Sequence, residues 1–217
     1  EAIGTLAGGV AHDFNNILGC LLGGLSLLDV ELGTASALHQ DILEMKAQVQ
    51  RGADLAKQLL GFARRGRYNV SRVDVAFVVE KTSAMFARTR KDLTVEVDVA
   101  PGLAAVLMDD TQFEQVLLNL FLNAGQAMPD GGRLVLRAEE VELGSEETEP
   151  HCVAPGHFVK VIVADTGVGM DAATRARIFE PFFTTKAAGH GTGLGLASVY
   201  GIMQSHAGFI EVESALG

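Results

Sequence analysis

The chain has 217 residues, 48% of them hydrophobic, so it can bury one large core or two smaller ones. Its formal net charge of -10 argues against a nucleic-acid partner, because an acidic surface repels phosphate backbones and the sequence has no local basic stripe. Cys20 and Cys152 lie far apart and without CxxC spacing, which disfavours a disulfide framework or a zinc site and fits a reducing cytoplasm.

The sequence predicts no direct membrane contact for this chain. No apolar run approaches the roughly 20 residues that span a bilayer, and the first residues lack the layout of a signal peptide. Because the chain opens with Glu1 and stops at Gly217 just after a predicted strand, we expect a fragment of a longer protein. We therefore expect a cytoplasmic fragment, with any membrane anchor of the parent chain outside it.

Residues 1–68 predict a helical hairpin. Apolar residues recur at helical steps over Ile3–Leu32, and after a break at Gly33–Ser36 a second apolar stripe runs over Leu38–Leu60. Two helices alone enclose little core. The simplest way to bury both stripes is a homodimer that forms a four-helix bundle.

Residues 69–217 predict a second domain of mixed helices and strands, which makes the fold class α+β. Between Thr166 and Gly193 the chain is rich in glycine and predicts a mobile loop. The other predicted elements, which favour a mostly antiparallel sheet, are strand Val73–Val75, helix Ala76–Arg88, strand Leu93–Val99, helix Thr111–Met128, strands Arg133–Leu143 and Phe158–Ala164, helix Leu194–Ser205 and strand Phe209–Glu213.

His12 is the first candidate for chemistry. It lies two residues from both Val10 and Phe14, about 200° round a helix, so its imidazole is expected to face solvent. Asp13 is placed to accept a hydrogen bond from one ring nitrogen and leave the other as nucleophile, and Asn16 lies one turn on. An isolated His-Asp pair is more often a solvated surface histidine.

The segment Gly4–Asn16, GTLAGGVAHDFNN, resembles the H-box of sensor histidine kinases. This resemblance implies that His12 is the phospho-acceptor and that Asp13 orients or deprotonates it. It also makes Asn16 a candidate for positioning water when the phosphorylated partner is dephosphorylated.

Asn119 and Asn123 are four residues apart on a predicted helix, so both amides project from one face. Amide oxygens supplemented by triphosphate oxygens suit Mg²⁺, although an isolated pair of amides is more often structural. The segment 118–127, LNLFLNAGQA, resembles the N-box of the same family. The resemblance implies bound ATP and Mg²⁺, with Asn123 as the metal ligand.

Asp165 ends a predicted apolar strand and is followed by Thr166–Met170, TGVGM, in which Gly167 and Gly169 would let a flat ligand approach the backbone. On its own this pattern is an ordinary strand-ending turn. It resembles the family's first glycine box, in which the aspartate reads the exocyclic amine of adenine.

A second glycine-rich segment, Gly189–Ala197, GHGTGLGLA, runs directly into a predicted helix. Free N–H groups at the positive end of a helix form a phosphate cradle, although a flexible linker is an alternative interpretation. The spacing is neither a dinucleotide fingerprint nor a P-loop. The cradle residues are Gly191, Thr192, Gly193, Leu194 and Gly195.

Between the two glycine boxes, Ile178–Lys186, IFEPFFTTK, resembles the family's F-box, with aromatics that anchor a lid and Lys186 able to reach a phosphate. The boxes occur in the family's order over nearly the whole chain. The resemblance implies a Bergerat fold, an α/β sandwich that binds ATP. The family usually continues with a further turn and strand, so the C-terminal strand is expected to be truncated.

The Bergerat fold is shared by Hsp90-like chaperones, type II topoisomerases and mismatch-repair ATPases, so fold alone does not fix the reaction. Those hydrolases carry a glutamate base where this chain has Asn119, and an amide cannot serve as a general base. We therefore expect slow hydrolysis and phosphoryl transfer to His12. The resemblance implies onward transfer to an aspartate of a response-regulator receiver domain. The alternatives are a predominant phosphatase and a catalytically silent nucleotide-binding module.

Overall fold

The computed structural model describes residues 2–33, 36, 38–49, 52, 69–186 and 191–217, with side chains from Ile17 onward. The chain forms two compact units, Glu1–Arg67 and Tyr68–Gly217.

Unit 1 contains helix α1, Ala2–Leu32, and a second helix, α2, over residues 39–49. The two helices lie side by side. The groove between them is lined by Leu21 and Leu25 of α1 and by Met45 and Val49 of α2. Both predicted helices of the hairpin are present, although most of the second stripe beyond residue 49 lies outside the described residues.

A polar cluster that sequence patterns did not indicate joins α1 to α2. The Asp29 carboxylate accepts hydrogen bonds from His39 Nδ1 and Lys46 Nζ, both at 2.7 Å. The hydrogen bond from Lys46 is the main reason that the pKa of Asp29 is lowered. Gly33 follows α1 with a positive φ of 69° and donates to the Asp29 carbonyl, which ends the helix.

Unit 2 alternates helices and strands, as its sequence predicts. Its elements are β1 Ser71–Val73, α3 Val75–Thr89, β2 Leu93–Val99, β3 Val106–Met108, α4 Asp110–Ala127, β4 Gly132–Leu143, α5 Ser145–Thr148, a 3₁₀ turn Glu149–His151, β5 Gly156–Asp165, α6 Ala172–Arg175 and α7 Gly195–Ser205.

The main sheet has three strands in the order β2-β4-β5. Strand β2 pairs parallel with β4, placing Leu93 opposite Gly132, and β4 pairs antiparallel with β5, placing Leu134 opposite Asp165. A separate antiparallel pair joins β1 to β3. Among the described strands, the antiparallel pairings therefore outnumber the parallel one.

The core of unit 2 lies between this sheet and helices α3, α4 and α7. Alternate residues of β4 point inward, so that Leu134 and Leu136 are fully buried. They pack in one cluster with side chains of all three helices, and the rings of Phe86 on α3 and Phe121 on α4 lie 5.3 Å apart. This arrangement is the predicted α/β sandwich.

Aspartates start the two helices that carry most of this core. Asp74 accepts the N–H of Phe77 at the start of α3, and the buried Asp109 accepts the N–H of Gln112 at 3.0 Å at the start of α4. Such N-caps satisfy N–H groups that have no partner within the helix. The caps explain why α4 begins where it does.

One prediction for unit 2 is wrong. The predicted strand Phe209–Glu213 is not formed, since the described C-terminal residues contain no strand and their side chains anchor them instead. Phe209 stacks on His151 at 4.2 Å. The predicted loop between Thr166 and Gly193 contains a short helix, α6, started by Asp171, which accepts the N–H of Thr174. The other described residues of this segment form neither helix nor strand, as the sequence predicts.

Among the described helices, none combines the length and the apolar character that a membrane span requires.

Candidate functional site

Helix α4 and the start of α7 form the centre of the candidate site. Asn119 and Asn123 are half-buried on one face of α4. A Cβ placed at Gly195 would lie 3.8 Å from Asn119 Oδ1 and 3.7 Å from Asn123 Nδ2. The structure therefore brings the predicted asparagine pair and the predicted glycine cradle together.

The N-terminus of α7 is suited to an anion. Its N-cap residue, Leu194, offers no side-chain hydrogen bond to the helix, and the first turn contains no acidic residue. Uncapped N–H groups and the helix dipole attract phosphate or carboxylate groups. A hydrogen bond of 3.3 Å from Gln115 on α4 to Ser198 on α7 helps to hold the two helices together.

The donor set around Asn123 fits a cation that brings most of its own ligands. The described residues contain no group of three or more histidine, cysteine or acidic side chains able to hold a metal. Within the same residues, neither Asn119 nor Asn123 has a side-chain hydrogen bond to another group. An amide oxygen therefore remains available, as Mg²⁺ coordination shared with phosphate oxygens requires.

The first glycine turn packs against the end of α4. Asp165 Oδ1 accepts the N–H of Gly167 at 2.8 Å, and the N–H of Val168 donates to the carbonyl of Ala127 at 3.1 Å. A Cβ at Gly167 would lie 2.6 Å from the Cβ of Ala127. Glycine at this position thus permits close packing of the protein itself, besides any approach of a ligand.

Gly169 is constrained in two ways. Its φ of 66° lies in the left-handed region that favours glycine. A Cβ there would also stand 1.7 Å from the carbonyl oxygen of Ala215, so a side chain would push the C-terminal residues away.

Arg90 supports the C-terminal end of α4, a role that the sequence did not suggest. Its guanidinium donates to the Gly125 carbonyl at 3.1 Å and pairs with Asp92 at 2.6 Å. The hydrogen bond from Arg90 lowers the pKa of Asp92. A Cβ at Gly125 would lie 2.6 Å from the guanidinium, so glycine makes room for it. Arg90 thereby holds the last turn of α4, which directly follows Asn123.

The second glycine box packs against the segment that precedes it. A Cβ at Gly191 would lie 2.6 Å from Thr184 Oγ1 and 3.0 Å from Lys186 Cδ. Gly193 has a φ of 65° and its carbonyl accepts the N–H of Phe182 at 2.9 Å. In the same box, Thr192 Oγ1 accepts the N–H of Leu194 at 3.3 Å. The F-box and the glycine cradle are therefore one packed unit.

Lys186 reaches α4. Its ammonium donates to the Gln126 side-chain oxygen, three residues after Asn123. Although the side chain as a whole is exposed, desolvation lowers the pKa of Lys186. Gln126 was not singled out from the sequence, although its place inside the N-box segment was a signal that could have found it.

The aromatic residues of the F-box divide into two groups. Phe179, which follows the buried Ile178, packs against Tyr200 with ring centroids 5.2 Å apart, as an anchor would. Phe182 is 66% exposed and does not anchor the segment through its ring.

The predicted phospho-acceptor group lies on α1. Helix α1 contains His12, Asp13 and Asn16, but their side chains lie outside the described part of the structure. Gly189 and His190 of the glycine box also lie outside the described residues. The structure thus assembles the predicted nucleotide-site residues within unit 2 and leaves the predicted roles of the α1 residues as predictions.

A comparison with protein families identifies the class. The family described as histidine kinase-, DNA gyrase B-, and HSP90-like ATPase matches residues 108–217, just over half of the chain. The chain belongs to this family.

Curated relatives show which kinds of protein the whole chain is similar to. Over its whole length the chain is 39% identical to the sensor kinase CckA of Brucella abortus and covers 23% of that protein. It is 33% identical to the sensor histidine kinase ZraS of Klebsiella oxytoca and covers 44% of it. The chain therefore spans less than half the length of these relatives.

Solved structures share the fold. Full-length ShkA in complex with AMPPNP superposes over 92% of this chain and 41% of that one, with a TM-score of 0.68 and 24% identity. Histidine kinase ThkA in complex with the response regulator protein TrrA superposes over 95% of this chain and 56% of that one, with a TM-score of 0.59 and 20% identity.

Proposed function

We propose that this chain is the catalytic core of a sensor histidine kinase. In this proposal unit 2 binds ATP, His12 of unit 1 accepts the γ-phosphoryl group, and the group then passes to an aspartate of a response regulator. The observation that carries the proposal is the joint placement of Asn119, Asn123 and the α7 N-terminus. The sensor kinases among the relatives, which match along the whole chain, support it.

The base-binding end of the site would be the first glycine turn. Asp165 is exposed, and one of its carboxylate oxygens is held by the Gly167 N–H. The second oxygen is then free to accept from the exocyclic amine of adenine. The turn is held to the end of α4 through Val168, so the base and the asparagine pair would share one helix as their support.

The phosphate-binding end would be the α7 N-terminus together with Lys186. The helix offers uncapped N–H groups, and Lys186 supplies a cation next to α4. Asn123 would hold Mg²⁺ through its amide oxygen, and Mg²⁺ when bound neutralises phosphate charge and orients the triphosphate.

The reaction would favour histidine over water. Asn119 stands where a hydrolase would need a base, and its amide cannot take a proton from water at neutral pH. An imidazole nitrogen of His12 needs no such help to attack, provided that it reaches about 3 to 3.5 Å from the γ-phosphorus. The N–P bond forms as the bond to the ADP oxygen breaks, and Asp13 would take up or share the imidazole proton.

Dimerisation is proposed from the exposed apolar stripe of α1. Ile17, Leu21 and Leu28 are 58%, 50% and 48% exposed in the single chain. A second copy that packs its own stripe against them would bury these side chains in a four-helix bundle. A receiver domain would dock on the outer surface of that bundle, close to His12.

The proposed function also predicts the cellular compartment in which the chain acts. ATP and response regulators occur in the cytoplasm, so we place this chain there.

Labelling with γ-labelled ATP and Mg²⁺ tests the proposal. We expect label that is acid-labile and alkali-stable in the wild-type chain, absent in His12→Gln and retained in His157→Gln, which changes an exposed histidine of unit 2. Adding a receiver domain should then move the label to the receiver.

Other outcomes would contradict the kinase proposal. ATP binding without label would favour a silent nucleotide-binding module. Loss of phosphate from a phosphorylated receiver without prior labelling of the chain would favour the phosphatase.

A further inference from the structure

The C-terminal residues run over the first glycine turn. Ser214 Oγ accepts the N–H of Met170 at 2.9 Å, in a partly buried hydrogen bond that spans 44 positions of sequence. Gly217 donates its N–H to the Val168 carbonyl at 3.2 Å. Between these two bonds, the Ala215 carbonyl lies where a Cβ at Gly169 would be. The C-terminal residues therefore touch the turn at three consecutive positions.

The other side of the turn is fixed independently. The N–H of Thr166 donates to the Arg133 carbonyl at 3.2 Å, and the N–H of Val168 donates to the Ala127 carbonyl at 3.1 Å. These bonds attach the start of the turn to β4 and α4. Its end at Met170 is attached to the Ser214 hydroxyl.

The C-terminal residues have their own anchor, so Ser214 is not a loose end. Phe209 stacks on the His151 ring with an interplanar angle of 9° and meets Phe158 edge-on at 6.1 Å. Glu211 pairs with His151 Nε2 at 2.9 Å. This anchor lies three residues before Ser214 and ties it to the β4–β5 connection.

We propose that Ser214 is a positioning residue for base recognition, an inference that rests on the proposed function. By holding the Met170 N–H, its hydroxyl closes the turn that begins at Asp165 and thereby sets the direction of the Asp165 carboxylate. In this proposal Ser214 acts through its hydrogen bond to the turn and not by binding the nucleotide. Its effect should therefore fall on discrimination between bases and leave the binding of phosphates unaltered.

The test compares three ligands on the whole chain. Affinities for Mg-ATP, Mg-GTP and Mg-tripolyphosphate are measured by calorimetry for the wild type, Ser214→Ala, Ser214→Thr and Ser71→Ala. Ser71 is an exposed serine on β1 and serves as the control.

In Ser214→Ala we expect ATP affinity to fall roughly tenfold, the order set by one lost hydrogen bond to a partly buried donor. Tripolyphosphate binding should be unchanged, so the preference for ATP over GTP shrinks. Ser214→Thr keeps the hydroxyl and should restore the preference, and Ser71→Ala should behave as wild type.

Two results would overturn the role of Ser214 and leave the proposed function standing. These are an unchanged ATP-to-GTP ratio in Ser214→Ala, and an equal loss for all three ligands with a lower melting temperature, which is what a purely structural role predicts. A wild-type chain that binds no nucleotide would overturn the proposed function and this inference with it, and the wild-type measurement identifies that case.

Discussion

The two units of the chain bury their apolar residues in different ways. In unit 2, Leu117 and Phe121 of α4 are 0% exposed and are covered by elements of the same unit. In unit 1, Ile17 and Leu28 of α1 remain 58% and 48% exposed. Because exposed apolar stripes are a liability in water, the exposed stripe of α1 supports the dimer proposed above.

The largest expected effect is on the core of unit 2. Phe121→Ala removes a fully buried ring and should lower the free energy of unfolding of this unit by about 3 to 5 kcal/mol. Leu122→Ala, at the next position and 52% exposed, is the matched control and should change it by less than about 0.5 kcal/mol. Calorimetric melting of both variants measures the difference, and equal effects would contradict a self-contained core.

Dimerisation of the hairpin should be weakened by an added charge and not by a loss of side-chain volume. Leu28→Glu places a carboxylate in the proposed dimer seam and should raise the dimer dissociation constant roughly a hundred-fold, because burying an unpaired charge costs several kcal/mol. Sedimentation equilibrium measures this constant. Val30→Glu, two residues on and 81% exposed, should leave it unchanged. A monomeric wild type, or equal effects of both variants, would refute the proposed seam.

A smaller effect is expected at the first glycine turn, where unit 2 is held together by backbone contacts. Gly169→Ala would have to adopt a positive φ and displace the Ala215 carbonyl, at a cost of about 1 to 3 kcal/mol. ATP affinity should fall with stability. Gly201→Ala is the control, because this glycine lies inside α7 with no atom near its Cβ position. It should be neutral or slightly stabilising, and melting curves with and without ATP would show it.

The smallest effect concerns the polar cluster of the hairpin and depends on pH. The hydrogen bond from Lys46 lowers the pKa of Asp29 below the ordinary value of 3.8. The stabilisation that the ionised Asp29 gives to the folded hairpin is therefore fully present at pH values above 3.8. It is lost as the pH falls through the lower pKa of the folded state. Asp29→Asn should therefore lower the melting temperature at pH 7, and the gap to wild type should close in acid.

Circular dichroism melts at several pH values would measure this gap. Glu31→Gln, an exposed change on the same helix, should show no gap at neutral pH. A gap that stays constant into acid would mean that the Asp29 charge does not stabilise the hairpin.

Local patterns predicted the elements of unit 2 well. The predicted helix Thr111–Met128 is α4, Asp110–Ala127, because apolar residues repeat at helical spacing and Asp109 caps the start. Both glycine turns were also evident, since glycine at a positive φ is a local requirement.

Contacts between distant residues were not predictable. The bond from Met170 to Ser214 and the contact of Arg90 with Gly125 join residues 44 and 35 positions apart, and no local pattern records such a pairing. The strand predicted at Phe209–Glu213 failed for a related reason. Alternation of side chains favours a strand, but a strand forms only where a partner offers a backbone ladder.

We propose above that unit 2 delivers a phosphoryl group to His12. The most direct measurement is mass spectrometry of the wild-type chain after incubation with Mg²⁺ and ATP, with digestion kept alkaline to preserve phosphohistidine. We expect one phosphoryl group on the peptide that contains His12, and we expect it to be absent in Asn123→Ala. Saturating ATP binding without that modification, or a phosphoryl group on another residue, would contradict it.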